Sequence, residues 1–156
     1  MKKVILLVLC AILALSFVGC DSDDKADALL KYMNEDMQPL HELEKKFHSI
    51  YNSDNRSYEL LSTEGAEVFK EWSEKTEALA KDIDDENIKE VHKIYESYVA
   101  KSGEALNALT EYYKESSLAD ADPANTAIEE ADTLVDNYTL EIETLMKKYG
   151  LEYEED

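Results

Sequence analysis

The chain has 156 residues, enough for one domain with a real core and too few for two. Its 36 Asp and Glu outnumber 16 Lys and Arg, and the net charge of −20 repels nucleic acid, anionic lipid head groups and anionic wall polymers while attracting cations and basic partners. Hydrophobic residues make up 44% of the chain at regular spacing, which excludes the disorder that so large a charge would otherwise imply.

Met1-Lys2-Lys3 is a basic start, and Val4 to Val18 is an unbroken apolar or small-residue run. Roughly fifteen residues fall short of the about twenty a bilayer-spanning helix needs, so the run predicts a cleavable export signal over residues 1–19. Phe17-Val18-Gly19-Cys20 closes it, and Asp21-Ser22-Asp23-Asp24 turns abruptly polar. These residues resemble the bacterial lipobox, with Phe17 where that family most often carries Leu. The resemblance implies cleavage between Gly19 and Cys20 and acylation of Cys20 by diacylglyceryl and palmitate-type chains. Each buried methylene adds ~0.8 kcal/mol of membrane affinity; one chain holds reversibly, and two anchor stably. Cleavage leaves 14 basic against 36 acidic residues, a charge of −22, and removes Cys10. The remaining thiol is then blocked by lipid, so the exported domain folds on its apolar core without a disulfide.

Residues 20–26 read as a lipidated hydrophilic tether and 27–150 as the folded domain. The first apolar stripe, Leu29, Met33, Met37, Leu40, Leu43, Phe47 and Ile50, advances in helical steps of three and four. Pro39 interrupts it and predicts a kink or a fresh helix start at Gln38-Pro39. Asn52 to Asn55 makes a turn. The second stripe runs Tyr58, Leu61, Gly65, Val68 with Phe69, Trp72, Thr76, Leu79 and Ile83, with Gly65 weakening its early turns. Asp84-Asp85-Glu86-Asn87 offers caps for the next helix. There Ile88, Val91, Tyr95, Tyr98, Ser102, Ala105, Leu109 and Tyr112 alternate three and four without a slip, and His92, Val99, Leu106 and Tyr113 broaden the face. Ser116 to Asp122 breaks the pattern, and Asp122-Pro123 restarts it. Ile128, Ala131, Val135, Tyr138, Ile142, Leu145 and Tyr149 form the last stripe, Lys147 and Lys148 suit its negative end, and Gly150 is placed to stop it. Residues 151–156 read as a frayed acidic tail.

Four amphipathic segments joined by short turns predict an all-α antiparallel bundle, with coiled-coil-like contacts in its last two helices. Turns near Asp85 and Asp120 would set the small residues Ser102 and Ala105 opposite Val68 to Trp72, giving Phe69 and Trp72 room. On that alignment Ser102→Leu overpacks the core and lowers stability by ~1 to 3 kcal/mol, read as a fall in melting temperature.

Chemistry is sparse. Four glycines, one of them in the export signal, leave no phosphate-cradling loop and no nucleophile elbow, so nucleotide enzymes drop out. A lipid-blocked Cys20 removes thiol catalysis and Cys-based metal sites. His41, Glu44 and His48 share one side of the first long helix, a pattern a transition metal could use. They read instead as a hydrated polar flank beside Leu40, Leu43 and Phe47, and no Glu stands three residues before any His as di-iron bundles require. His92, at the edge of an apolar face, reads as a partly buried, hydrogen-bonded residue rather than a ligand. The acidic groups at residues 21–24, 84–86 and 152–156 lack the spacing of a calcium loop and read as tether, helix start and tail, leaving only weak, diffuse divalent-cation binding. No cofactor or resident metal is expected. Ten tyrosines against three phenylalanines are the compositional oddity. Most fall on stripe positions, rings inside and hydroxyls at the rim; Tyr32, Tyr58, Trp72 and Tyr113 are the candidates for an exposed aromatic platform meeting a sugar ring or a protein.

Gln38-Pro39-Leu40-His41-Glu42-Leu43-Glu44-Lys45-Lys46, soon after a lipobox in an all-helical chain, resembles the start of the YkyA-type cell-wall-binding lipoproteins, small helical lipoproteins of Gram-positive bacteria. That resemblance implies a wall-facing role and no catalytic residues. The leading expectation is a non-enzymatic envelope lipoprotein, held to the membrane through Cys20 and binding a wall component or a membrane-protein partner, with no nucleic-acid partner. It would sit on the outer face of a Gram-positive membrane, or on the periplasmic face of the inner membrane in a Gram-negative cell. The competing expectations are a mobile-element or phage-borne lipoprotein that blocks DNA entry or shields a neighbouring protein, and a metal-binding or enzymatic role for His41 and His48.

Overall fold

The computed structural model describes residues 23–114 and 122–152. Gly19, Cys20 and the export signal, the break expected at Ser116, and the end of the acidic tail lie outside those residues. Among the described residues the chain is helical throughout, with no strand, and forms four rods as the stripes predict. The first joins α1 (Asp23–Lys31) through a π-helical turn (Tyr32–Asp36) to α2 (Gln38–Tyr51). The second joins α3 (Tyr58–Leu60) through another π turn (Leu61–Gly65) to α4 (Ala66–Asp82). The third and fourth are the long helices α5 (Glu86–Lys114) and α6 (Asp122–Lys148).

The helix begins inside the expected tether. Asp23 to Ala26 are its first residues, because Ala26, Leu29 and Leu30 are buried and draw the chain onto the bundle at once. Pro39 produces a fresh start, as its missing donor demands: it lies at the beginning of α2, where no intrahelical donor is needed. The mismatch is absorbed upstream, where the Met37 amide reaches back five residues to the Tyr32 carbonyl at 2.9 Å. Met37 keeps helical dihedrals, so the rod continues through the junction.

Gly65 lies under α5. A Cβ there would stand 3.2 Å from Leu106 Cδ1, so the glycine that weakens the early second stripe is what lets the third rod approach. Phe69 does the same from the other side. Its ring covers Gly103, where an added Cβ would fall 2.3 Å from Cζ, and Ser102 and Ala105 beside it are fully buried. The predicted alignment of small residues with Phe69 and Trp72 therefore holds, with Gly103 as the residue that most directly makes the space.

The start of α5 and the stop of α6, which meet at one end of the bundle, are both written in capping residues. The Asp85 carboxylate accepts from the amides of Asn87 at 2.8 Å and Ile88 at 3.0 Å, which makes it the N-cap of α5. Burial pushes its carboxyl up, but those amides, the Asn87 side chain and the nearby Lys25 draw it below the usual Asp value overall. Asp85→Ala is expected to cost ~1 kcal/mol in urea denaturation at neutral pH. The difference should shrink as pH falls through the depressed carboxyl, since a lowered acid contributes only while ionised. At the far end of α6, Gly150 takes φ +73°, and the Leu151 amide returns to the Met146 carbonyl at 2.8 Å. This is a Schellman stop, closed by the burial of Leu151, so the residue expected to open a frayed tail is part of the cap.

Neighbouring rods run antiparallel. Gly65 meets Leu106 across the α4–α5 side, and on the α5–α6 side Lys101 pairs with Glu130 while Asn87 meets Tyr149. α5 on α6 is the most extensive contact, followed by α4 on α5 and α2 on α4, while α2 and α6 approach each other far less. Leu29, Met37, Leu40, Phe47, Leu61, Trp72 and Ala131 are within 2% of full burial at the centre.

Candidate functional site

The middle of the bundle is polar as well as aromatic. The Glu44 side chain points from α2 into the core and is 5% exposed. The hydrated flank expected for His41, Glu44 and His48 is thus corrected: Glu44 occupies a stripe position between Leu40 and Phe47, and its carboxylate is satisfied inside. Tyr98 donates to Oε1 at 2.8 Å and Tyr95 to Oε2 at 3.2 Å, both from α5. Each phenol oxygen receives a donor in turn. Trp72 Nε1 donates to Tyr95 at 3.0 Å, and His48 Nε2 lies 2.8 Å from Tyr98. Because the Tyr98 proton is committed to Glu44, His48 must carry its hydrogen on Nε2. Two donor relays, Trp72–Tyr95 and His48–Tyr98, therefore converge on one carboxylate.

A second chain runs beside the first. His92 is fully buried; its Nε2 donates to the Thr76 carbonyl at 3.0 Å, which leaves Nδ1 to accept from the Tyr32 hydroxyl at 3.0 Å. Tyr138 of α6 donates to Tyr32 at 3.4 Å. The hydrogen-bonded reading of His92 stands, with the ring wholly rather than partly buried, and all four rods meet in these contacts. The rings interlock: Phe47 and Trp72 are 5.4 Å apart, Trp72 and Tyr98 5.4 Å, and Tyr95 and Tyr138 5.2 Å, at tilted or edge angles.

Burial sets the electrostatics. It raises the Glu44 carboxyl against the opposing pull of the Tyr98 and Tyr95 hydroxyls, and raises the phenols of Tyr32, Tyr95 and Tyr98. It lowers His41, lowers His92 against the pull of the Thr76 carbonyl and Glu96, and pushes His48 down to about 4. The three imidazoles are therefore neutral at pH 7. His41 lies half-buried with its ring edge-on to Tyr95, 6.4 Å between centroids. Among the described residues no group of three or more His, Cys, Asp or Glu could hold a metal ion.

The aromatic platform does not assemble. Tyr32 and Trp72 are buried, at 1% and 0% exposure, because both rings fill the space between rods and spend their polar atoms there. Tyr58 is 44% exposed and Tyr113 half-buried. These two do lie at one end of the molecule, where α3 packs on α5 and Tyr112 and Tyr113 meet edge to face at 5.4 Å. The described surface also carries a shallow groove of about 450 Å³ between α5 and α6, walled by Val91, Ile94, Leu134 and Leu145. None of the buried relay residues lines it. Sequence reasoning missed Glu44 as a core residue; the signal was its place four residues after Leu40 and three before Phe47, on the buried face of α2.

No helix among the described residues is long and apolar enough to cross a membrane. Comparison with known protein families, with curated proteins and with solved structures finds no match for this chain.

Proposed function

We propose that this chain is a non-enzymatic envelope lipoprotein, anchored outside the cytoplasm by acyl chains on Cys20, whose helical bundle binds a wall component or a membrane-protein partner. The observation that carries the reading is the lipobox-like Phe17-Val18-Gly19-Cys20 at the edge of an apolar leader, followed from Asp23 by a folded helical domain. The interior supports a binding rather than a catalytic role. Glu44, His92 and their phenol partners spend their hydrogen bonds on one another, and none of them lines the surface groove. The surface for a partner is the end bearing Tyr58 and Tyr113, which keeps the part of the aromatic platform that remains accessible. The YkyA-type resemblance favours a wall-facing partner.

In-cell photocrosslinking tests this. A photoreactive residue at position 58 should trap a discrete wall fragment or membrane protein, while the same residue at exposed position 140 on α6 traps little. Equal, diffuse labelling from both positions would remove the Tyr58 end as the binding surface.

A further inference from the structure

The end of the bundle opposite Tyr58 is assembled from three elements at once. The first turn of α1, the Ile83–Asp85 turn and the last turn of α6 meet there: Lys148 Nζ donates to Asn87 Oδ1 at 3.0 Å, Asn87 Nδ2 donates to the Tyr149 hydroxyl at 3.0 Å, and Lys25 acts on Asp85. Ala26, Ile83, Tyr149 and Leu151 are buried beneath these polar contacts, so the end is a fixed surface. Helix begins at Asp23, three Cα-to-Cα steps from Cys20. Fully extended, they span at most about 11 Å.

We propose that this end, with Lys25, Asp84, Lys147 and Lys148 exposed on it, is the surface that meets the lipid headgroups, and that the bundle stands upright on the membrane. The inference rests on acylation of Cys20 as read above. A leash of ~11 Å is no longer than the width of one helix, so the α1 start cannot leave the headgroup region. Lying down would press the sides of the rods onto the lipid, and those sides carry the bulk of the negative charge, including Glu67, Glu71, Glu74, Glu129 and Asp136. Anionic headgroups repel such a face. The proposed end carries acid as well, at Asp24, Asp82, Asp84, Glu86 and Glu152, but there Lys25, Lys147 and Lys148 are exposed beside it, offset much of that charge and present ammonium groups to lipid phosphate. With 29 residues, α5 is about 43 Å long, so an upright bundle carries Tyr58 roughly 40 Å away from the bilayer.

The test uses the acylated protein in vesicles of mixed phosphatidylglycerol and phosphatidylcholine. Cleavage leaves no cysteine but the blocked Cys20, so Lys148→Cys, Asp84→Cys and Asn55→Cys each accept a single fluorophore. A headgroup-attached quencher should reduce emission at 148 and 84 several-fold more than at 55. Mass analysis of the same preparation separates the two ways of failing. An acylated Cys20 with equal quenching at all three positions overturns the upright orientation alone; a Cys20 without acyl chains overturns the anchor and the orientation together.

Discussion

Trp72→Ala is expected to lose about 3–5 kcal/mol of unfolding free energy in urea titration followed by circular dichroism. Domains of this size hold only about 5–15 kcal/mol in total, so the variant should be close to unfolding at 37 °C. The size of the effect follows from what the indole does. Trp72 is fully buried between Phe47 and Tyr98, and its Nε1 supplies the donor that fixes the Tyr95 hydroxyl toward Glu44. Removing it opens a cavity and loosens one of the two relays on the carboxylate. Trp72→Phe keeps most of the packing and should cost about 1–2 kcal/mol, mainly the lost donor. An alanine variant within 1 kcal/mol of the parent would mean that the indole is not seated where the relay requires.

Acid is expected to weaken the fold through its histidines. His48 is pushed down to about 4 by burial from an ordinary value of 6.5. A group depressed in the native state leaves that state short of protons, so stability is fully present above pH 6.5 and is lost as pH falls toward 4. The gap corresponds to about 3 kcal/mol. His41 and His92 are lowered by burial as well and act in the same direction. Glu44 acts in the opposite one: its raised carboxyl is a burden at neutral pH that protonation relieves. Acid also relieves repulsion among the 36 acidic side chains. The comparison is therefore made in about 0.5 M salt, where screening over a few ångströms flattens that surface contribution and leaves the buried groups. Between pH 6.5 and 4, His48→Gln should be flatter than the parent by about 3 kcal/mol. Identical profiles would show that His48 protonates freely and that burial does not hold it neutral.

Much of this architecture is legible as spacing. Ile88 to Tyr112 and Ile128 to Tyr149 advance by three and four without a slip, and both runs are helix in the structure save Tyr149 in the closing turn, because a sustained apolar stripe can be buried only along one helical face. Asp85 and Gly150 are legible for a different reason, since few residues can do their local work. An N-cap needs a short acceptor, and a positive φ favours glycine. The two π turns are not written in any residue type. They absorb mismatches between Pro39, Gly65 and the neighbouring rods, and so exist only once the rods are packed.

The interior network shows where a stripe reading stops. Tyr95, Tyr98, Trp72, Thr76 and Tyr138 all fall on stripes, and their burial follows from that. Glu44 falls on a stripe too, yet a charged side chain reads as solvated unless its donors are known in advance. Those donors, Tyr95 and Tyr98, are more than fifty residues away, and the register that brings them to α2 is a property of the bundle. Tyr32 and Trp72 show the same effect in reverse. Their polar tips suit a binding platform as well as a core, and only the partners His92 and Tyr95 decide between the two.

Intact-mass and N-terminal peptide analysis of the protein drawn from its native membrane bears most directly on what this molecule is for. A first residue of Cys20 carrying two or three fatty chains is the predicted result. Recovery of Lys2 and Lys3 still joined to the chain, or of a bare thiol at position 20, would contradict it and remove the proposed acyl anchor.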